Sequence, residues 1–273
     1  MKKKRTLIQS IKKDIYKGFR RIKWFGLTKF NFLLRSFFLK KKIKKNKISL
    51  LIPSKQRVDK LSRLINSLLS KTTYIDRIYI LVLIDENEKD KEDYLKLILE
   101  FEKKVNIKIF VKDEKTHNIR NNYLAEQIDS DLYFPMNDDV IFIMNNWDTY
   151  IDTMESYTPN NKPYSIWCKT DRKYPYLHSD FPIVNKLWYK KLGYIGNLHL
   201  YGYIDTWICE LSKITKLFIL SNKQFLDHLN VENSNNNDVP DKTYKDLMVA
   251  QSNDLKIWQD TKNIRIKDAK KLI

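Results

Sequence analysis

The chain has 273 residues, 42% of them hydrophobic and 31% charged. That is long enough for one sizeable core with an extra lobe, and too apolar for a largely disordered protein. The formal net charge of +18 is segregated: residues 1–47 hold 18 of the 51 Lys+Arg and one of the 33 Asp+Glu, a net +17 that leaves +1 for the rest. The two cysteines, Cys168 and Cys209, stand in no metal-ligand spacing, which excludes a cysteine zinc centre and fits free thiols in a reducing compartment.

The basic leader comes first. Ile8, Ile11, Ile15, Phe19 and Ile22 recur at helical spacing with Lys and Arg between them, the pattern of a basic amphipathic helix. Residues 25–39, FGLTKFNFLLRSFFL, are apolar but carry Lys29 and Arg35 and fall short of the roughly 20 apolar residues that span a bilayer. KKKIKKNK then closes the segment. An anionic membrane surface is the favoured partner, a solvated helix or tail is the alternative, and nucleic acid is the least favoured. No secretory signal pattern is present, so the expected location is cytoplasmic, peripheral on the inner face of a membrane.

From residue 48 the pattern changes. ISLLIP (48–53), RIYILVLIDEN (77–87), NIKIFVKDE (106–114) and DLYFPMNDD (131–139) read as strands. VDKLSRLINSLLS (58–70), DYLKLILEFEKK (93–104) and NIRNNYLAEQI (118–128) read as the helices between them. The alternation predicts an α/β fold with a mostly parallel sheet, and the lack of polar alternation predicts helices on both faces. No GxGxxG or P-loop follows the first strand, which excludes an ordinary dinucleotide-binding domain. Ligands of open α/β sheets sit beyond the carboxyl ends of the strands. Pro53, Ser54, Arg57, Asp85 and the run Asn137-Asp138-Asp139 all fall at such ends. Two adjacent carboxylates after a buried strand either cap a turn or hold a hard divalent cation such as Mg²⁺.

In their order and spacing these segments resemble the family 2 glycosyltransferases of GT-A fold, from about residue 48 to about 229. ISLLIPSKQRVDKLSRLINSLL is similar to that family's first strand, turn and helix. YILVLIDEN resembles its second strand, and IRNNYLAEQIDSDLYFPMNDD its Arg/Asn-bearing helix and DxD strand. The resemblance implies a GT-A sheet over residues 48–229, a nucleotide-sugar donor with UDP favoured, and a glycan or other hydroxyl acceptor. It implies Mn²⁺ or Mg²⁺ as cofactor, with Asp139 as metal ligand and Asn137 standing where the DxD pattern has its first Asp. Pro53, Ser54, Arg57, Asp85, Arg120, Asn122, Asn137 and Asp138 are then expected to hold the donor.

In the second half, Asp205 follows an aromatic, Gly-bearing stretch and opens a helix expected over residues 206–213. The resemblance makes it the catalytic base of an inverting transfer; an N-cap is the plain alternative. Tyr201, Tyr203 and Trp207 could stack on sugars or fill the core. His228, after the strand-like run 216–220, is implied as a further metal ligand. His178 and His199 carry no comparable argument, although HSDFP (178–182) could shape the acceptor pocket. Residues 230–242 read as an Asn-rich loop, 243–259 as a helix packing on the same domain, and the last residues as a frayed basic end. The rivals are a nucleotidyltransferase, disfavoured by the absence of a Gly-rich loop in PSKQR, and a non-catalytic carbohydrate- or nucleic-acid-binding protein with a degenerate GT-A site.

Overall fold

The computed structural model describes residues 43–158, 161–169, 178–197, 200, 202–229, 241–250, 252 and 254–273. The expected leader helix and apolar run, His199, Tyr201 and residues 230–240 of the Asn-rich loop lie outside the described residues.

The elements are β1 (Ile48–Pro53), α1 (Val58–Lys71), β2 (Ile78–Ile84), α2 (Lys91–Phe101), β3 (Asn106–Val111), α3 (His117–Glu126), β4 (Leu132–Pro135) and β5 (Val140–Phe142). They continue with α4 (Trp147–Glu155), β6 (Ser165–Lys169), β7 (Pro182–Asn185), α5 (Lys186–Leu192), α6 (Ile204–Thr215), β8 (Phe218–Gln224) and β9 (Leu226–His228). Three helices close the chain: α7 (Lys242–Ala250), α8 (Asp254–Asp260) and α9 (Lys262–Leu272). Among the described residues the main sheet has seven strands in the order β3-β2-β1-β4-β7-β6-β8. β3, β2, β1 and β4 run parallel, and β7 is antiparallel to both β4 and β6.

Burial on both faces explains why the strands lack polar alternation. Side chains alternate along β1: Ile48, Leu50 and Ile52 join one core with Leu61, Leu64, Ile65 and Leu68 of α1, whereas Leu51 joins another with Trp188, Trp207 and Leu211. The α1 stripe recurs at three and four residues, so one face of that helix lies against the sheet.

Two expectations are corrected. Residues 131–139 are not one strand. β4 ends at Pro135, the chain turns through Asn137-Asp138-Asp139, and β5 leaves to pair antiparallel with β9, Val140 opposite His228. The two carboxylates sit just past the exit of β4. The C-terminus is not frayed either. α9 is helical and buries Arg265, Asp268, Ala269 and Leu272. Its buried charges are paired, Arg265 Nε with Glu210 at 3.1 Å and Asp268 with Tyr194 and Lys271, so the helix shows little apolar periodicity in its sequence.

Candidate active site

The parallel strands end together, and their exits carry the acidic groups. Met136 N–H donates to Leu51 O at 2.9 Å and Ser54 N–H donates to Leu83 O at 2.9 Å, which fixes the exits of β4, β1 and β2 side by side. Pro53, the last residue of β1, lies in register with Leu83. Beyond it, Ser54 Oγ donates to Asp138 Oδ2 at 2.7 Å, so it accepts from Tyr94 Oη, also at 2.7 Å. Tyr94 Oη in turn accepts from Arg57 N–H at 3.0 Å. The turn that carries Arg57 includes Gln56 in the left-handed region, φ 53°, a conformation that costs a non-glycine residue energy and marks many functional sites.

Arg57 joins three carboxylates. Nη1 lies 3.0 Å from Asp138 Oδ1 and 3.8 Å from Asp139 Oδ2, while Nη2 and Nε fork onto Asp241 at 2.8 and 2.9 Å. Lys60 Nζ adds a contact to Asp241 Oδ2 at 2.8 Å. Asp85, at the exit of β2, takes Arg120 on one oxygen and Lys55 Nζ at 3.2 Å on the other. Burial pushes Asp138 up to about 6, with Arg57 opposing and Asp139 reinforcing the shift. Burial also opposes ionisation of Asp139, yet the His228 imidazole and the Arg57 guanidinium hold its carboxyl below the ordinary range. Asn137 is half-buried at the head of this turn.

His228 reaches Asp139 because β9 pairs with β5: Leu229 N–H donates to Asp139 O at 2.9 Å, and His228 Nε2 lies 3.2 Å from Asp139 Oδ1. That spacing exceeds a charge-assisted hydrogen bond of about 2.7–2.9 Å. It matches the roughly 3 Å between two ligands set at right angles on a divalent cation with bonds of about 2.1 Å. Asp139 Oδ1 is buried and accepts no hydrogen bond among the described residues. A carboxylate oxygen and an imidazole nitrogen so placed fit a cation such as Mn²⁺ or Mg²⁺.

The second half of the site is built by α3 and α6. Asn118 and Asn122 on α3 are buried, and their amides grip the loop before α6. Asn118 Nδ2 donates to Asn197 O at 2.8 Å, Asn122 Nδ2 donates to Gly196 O at 2.8 Å, and Asn122 Oδ1 accepts from Ile195 N–H at 2.7 Å. A Cβ at Gly196 would meet Ile204 Cγ1 at 2.6 Å, so only glycine lets this loop lie against the head of α6. Tyr203, the N-cap, stands at φ 56°, and Asp205 occupies the first helical turn rather than the cap. Trp207 is buried in the core, 6.0 Å from the Trp258 ring.

Asp205 Oδ1 accepts from Thr206 N–H at 2.7 Å, and its Oδ2 lies 2.6 Å from His178 Nε2. His178, Asp180 and Asp205 each place one ligand atom within 4.8 Å of the others. At 2.6 Å the His178–Asp205 contact has the length of a short hydrogen bond between the ring nitrogen and the carboxylate. His117, at the head of α3, connects the two halves electrostatically: burial and Arg120 push it down to about 4, while Asp205 and Asp139 oppose the shift. His178 is the site neighbour that sequence reasoning left unassigned; no spacing rule ties it to an aspartate 27 residues away.

No protein-family model and no curated protein matches the chain by sequence. Solved structures match in fold. A mannosyltransferase, PcManGT from Pyrobaculum calidifontis in complex with GDP-Man and Mn²⁺, superposes with a TM-score of 0.60 over 91% of this chain and 78% of that one, at 11% identity. TarS 1–349 of S. aureus in complex with UDP gives 0.54 over 66% of this chain and 60% of that one, at 13% identity. The complex of TarS 1–349 with UDP-GlcNAc gives 0.52 over 74% and 64%, at 14% identity. The chain thus spans less than two thirds of these TarS chains. From the parallel sheet, its strand order and these superpositions, the chain has the GT-A glycosyltransferase fold.

Proposed function

We propose that the chain is an inverting glycosyltransferase that moves a sugar from a nucleotide-diphosphate sugar to an acceptor hydroxyl. The observation that carries this reading is the gathering of Asp85, Asp138, Asp139 and His228 at the strand exits. Asp85, with Arg120 and Lys55, serves the nucleoside end. Pro53, Ser54, Asn137 and Asp138 shape the turn against the ribose, and Arg57 places a cation beside them. Asn122 leaves the donor set, because both ends of its amide are engaged with the loop at 195–196. Asp139 and His228 would hold the divalent cation, which when bound supplies positive charge for the departing diphosphate.

Asp205 is the base. As the acceptor oxygen bonds to the anomeric carbon, its proton passes to an Asp205 oxygen, and the electron pair of the breaking carbon–oxygen bond leaves on the nucleoside diphosphate. One displacement from the opposite face inverts the anomeric centre. The +17 leader fits attachment to an anionic membrane face. GDP and UDP sugars both occur among the superposed enzymes, so the test is a screen of UDP- and GDP-linked sugars with Mn²⁺, reading released nucleoside diphosphate. Release from one donor, lost in Asp139→Ala, is the expected result. No release from any donor, with no nucleotide bound, would favour the non-catalytic binding reading.

A further inference from the structure

The mechanism uses Asp205 and leaves its nearest neighbour without a role. We propose that His178 is a positioning residue that clamps Asp205 as an oriented carboxylate ready to take the acceptor proton. The part of this that concerns proton transfer rests on the glycosyltransferase reading; the clamp itself does not.

The clamp is built by both partners. Asp205 and Cys209 lie four residues apart on α6 and so share a face, and the segment carrying His178 is stitched to that face. Ser179 N–H donates to Cys209 Sγ at 3.4 Å, the Cys209 thiol donates to Ser179 O at 3.6 Å, and Ser179 Oγ donates to Cys168 O at 3.1 Å. His178 Nε2 then meets Asp205 Oδ2 at 2.6 Å, while Thr206 N–H holds Oδ1 at 2.7 Å. Thr206 Oγ1 also lies 3.3 Å from Oδ1, so the group is fixed in orientation through both of its oxygens.

Among the described residues the titratable groups around the pair are Asp180 on the same segment, Asp205 and Cys209 of α6, Cys168 of β6, and His117 of α3, which feels Asp205. Burial works against charge on His178, but the Asp205 carboxylate, reinforced by Cys209, raises it to about 10. The ring is then cationic at neutral pH and accepts no proton, which leaves Asp205 as the acceptor. A cation held against one carboxylate oxygen favours the charged form of that carboxylate.

The test has two arms on the full chain. In the first, nitrogen NMR of the imidazoles, assigned with His178→Gln, should show a His178 imidazolium at pH 8 that in Asp205→Asn titrates near or below the ordinary value of about 6.5. A neutral His178 ring at pH 7 in the native chain would overturn the proposal. In the second, nucleoside diphosphate release from the donor found by screening should fall about tenfold in kcat for His178→Gln at pH 8, with donor KM unchanged. The acid limb of that profile should move to higher pH, because the cation that favoured the carboxylate is gone. An unmoved acid limb would mean a merely structural histidine and would also overturn the proposal. If no donor reacts, the first arm still decides the clamp, so its failure is distinct from failure of the transferase reading.

Discussion

Asp205→Asn is expected to lower sugar transfer by about 10²–10⁴-fold, the range a positioned general base contributes. The substitution keeps the shape and one of the two hydrogen bonds, since the amide oxygen can accept from Thr206 N–H or from His178 while the amide nitrogen only donates. It removes the ability to bind the acceptor proton. Donor binding should be unchanged, because the donor groups sit at the exits of β1, β2 and β4 while Asp205 lies in the first turn of α6. Nucleotide affinity and the thermal midpoint are therefore the controls. Turnover within threefold of the native chain would remove Asp205 as the base. A parallel loss of nucleotide affinity would show instead that the donor half had been disturbed.

Arg77→Ala is expected to cost about 3–5 kcal/mol of stability, the usual penalty for leaving a buried charge without its partner. Against a typical total of about 5–15 kcal/mol, such a loss would leave the fold marginal. Arg77 is buried at the start of β2, with Nη2 on Asp148 Oδ2 at 2.8 Å, Nη1 on Asp152 Oδ2 at 2.6 Å and Nη1 donating to Asn46 O at 3.1 Å. Those contacts join the entry to β1, the entry to β2 and one face of α4. Burial opposes ionisation of Asp148, yet the N–H groups of Thr73 and Tyr74 and the Arg77 guanidinium hold its carboxyl below the ordinary range. At Asp152 burial outweighs Asn46 and Arg77, so that carboxyl is raised.

For Asp148 the sign is definite: its contribution is full above the ordinary carboxylate range and is lost as pH falls through its depressed folded value. Without Arg77 the two buried carboxylates keep only neutral N–H donors at pH 7 and are relieved by protonation in acid. The deficit of Arg77→Ala should therefore shrink between about pH 7 and pH 4, read as denaturant midpoints at constant slope. A deficit under about 1 kcal/mol, or one independent of pH, would contradict this account.

The parallel half of the sheet was legible because continuous apolar runs and their polar stops are local. β1 spans 48–53 as the pattern indicates, and Asp85 and Asp139 fall just past apolar runs that do end at strand exits. What was not legible is β5: residues 140–142 become a strand only because β9, far along the chain, supplies their partner. α9 escaped the pattern because its buried face includes Arg265 and Asp268, which enter the interior through pairing rather than apolarity. Of the Asn residues of α3, the resemblance implies Asn122 as a donor ligand. The structure engages Asn118 and Asn122 with the backbone of the loop before α6, a contact no spacing rule anticipates. The sequence singled out HSDFP (178–182) beside the acceptor pocket but not the pairing of His178 with Asp205, which depends on a helix face formed elsewhere.

Calorimetric titration of UDP and of GDP, with and without Mn²⁺, tests most directly whether a cation held by Asp139 and His228 binds a nucleoside diphosphate at the strand exits. One of the two nucleotides should bind at least about tenfold more tightly with Mn²⁺ present, and Asp139→Asn and His228→Ala should each abolish that gain. Nucleotide binding that ignores Mn²⁺, or a Mn²⁺-dependent gain that survives both substitutions, would contradict the assignment.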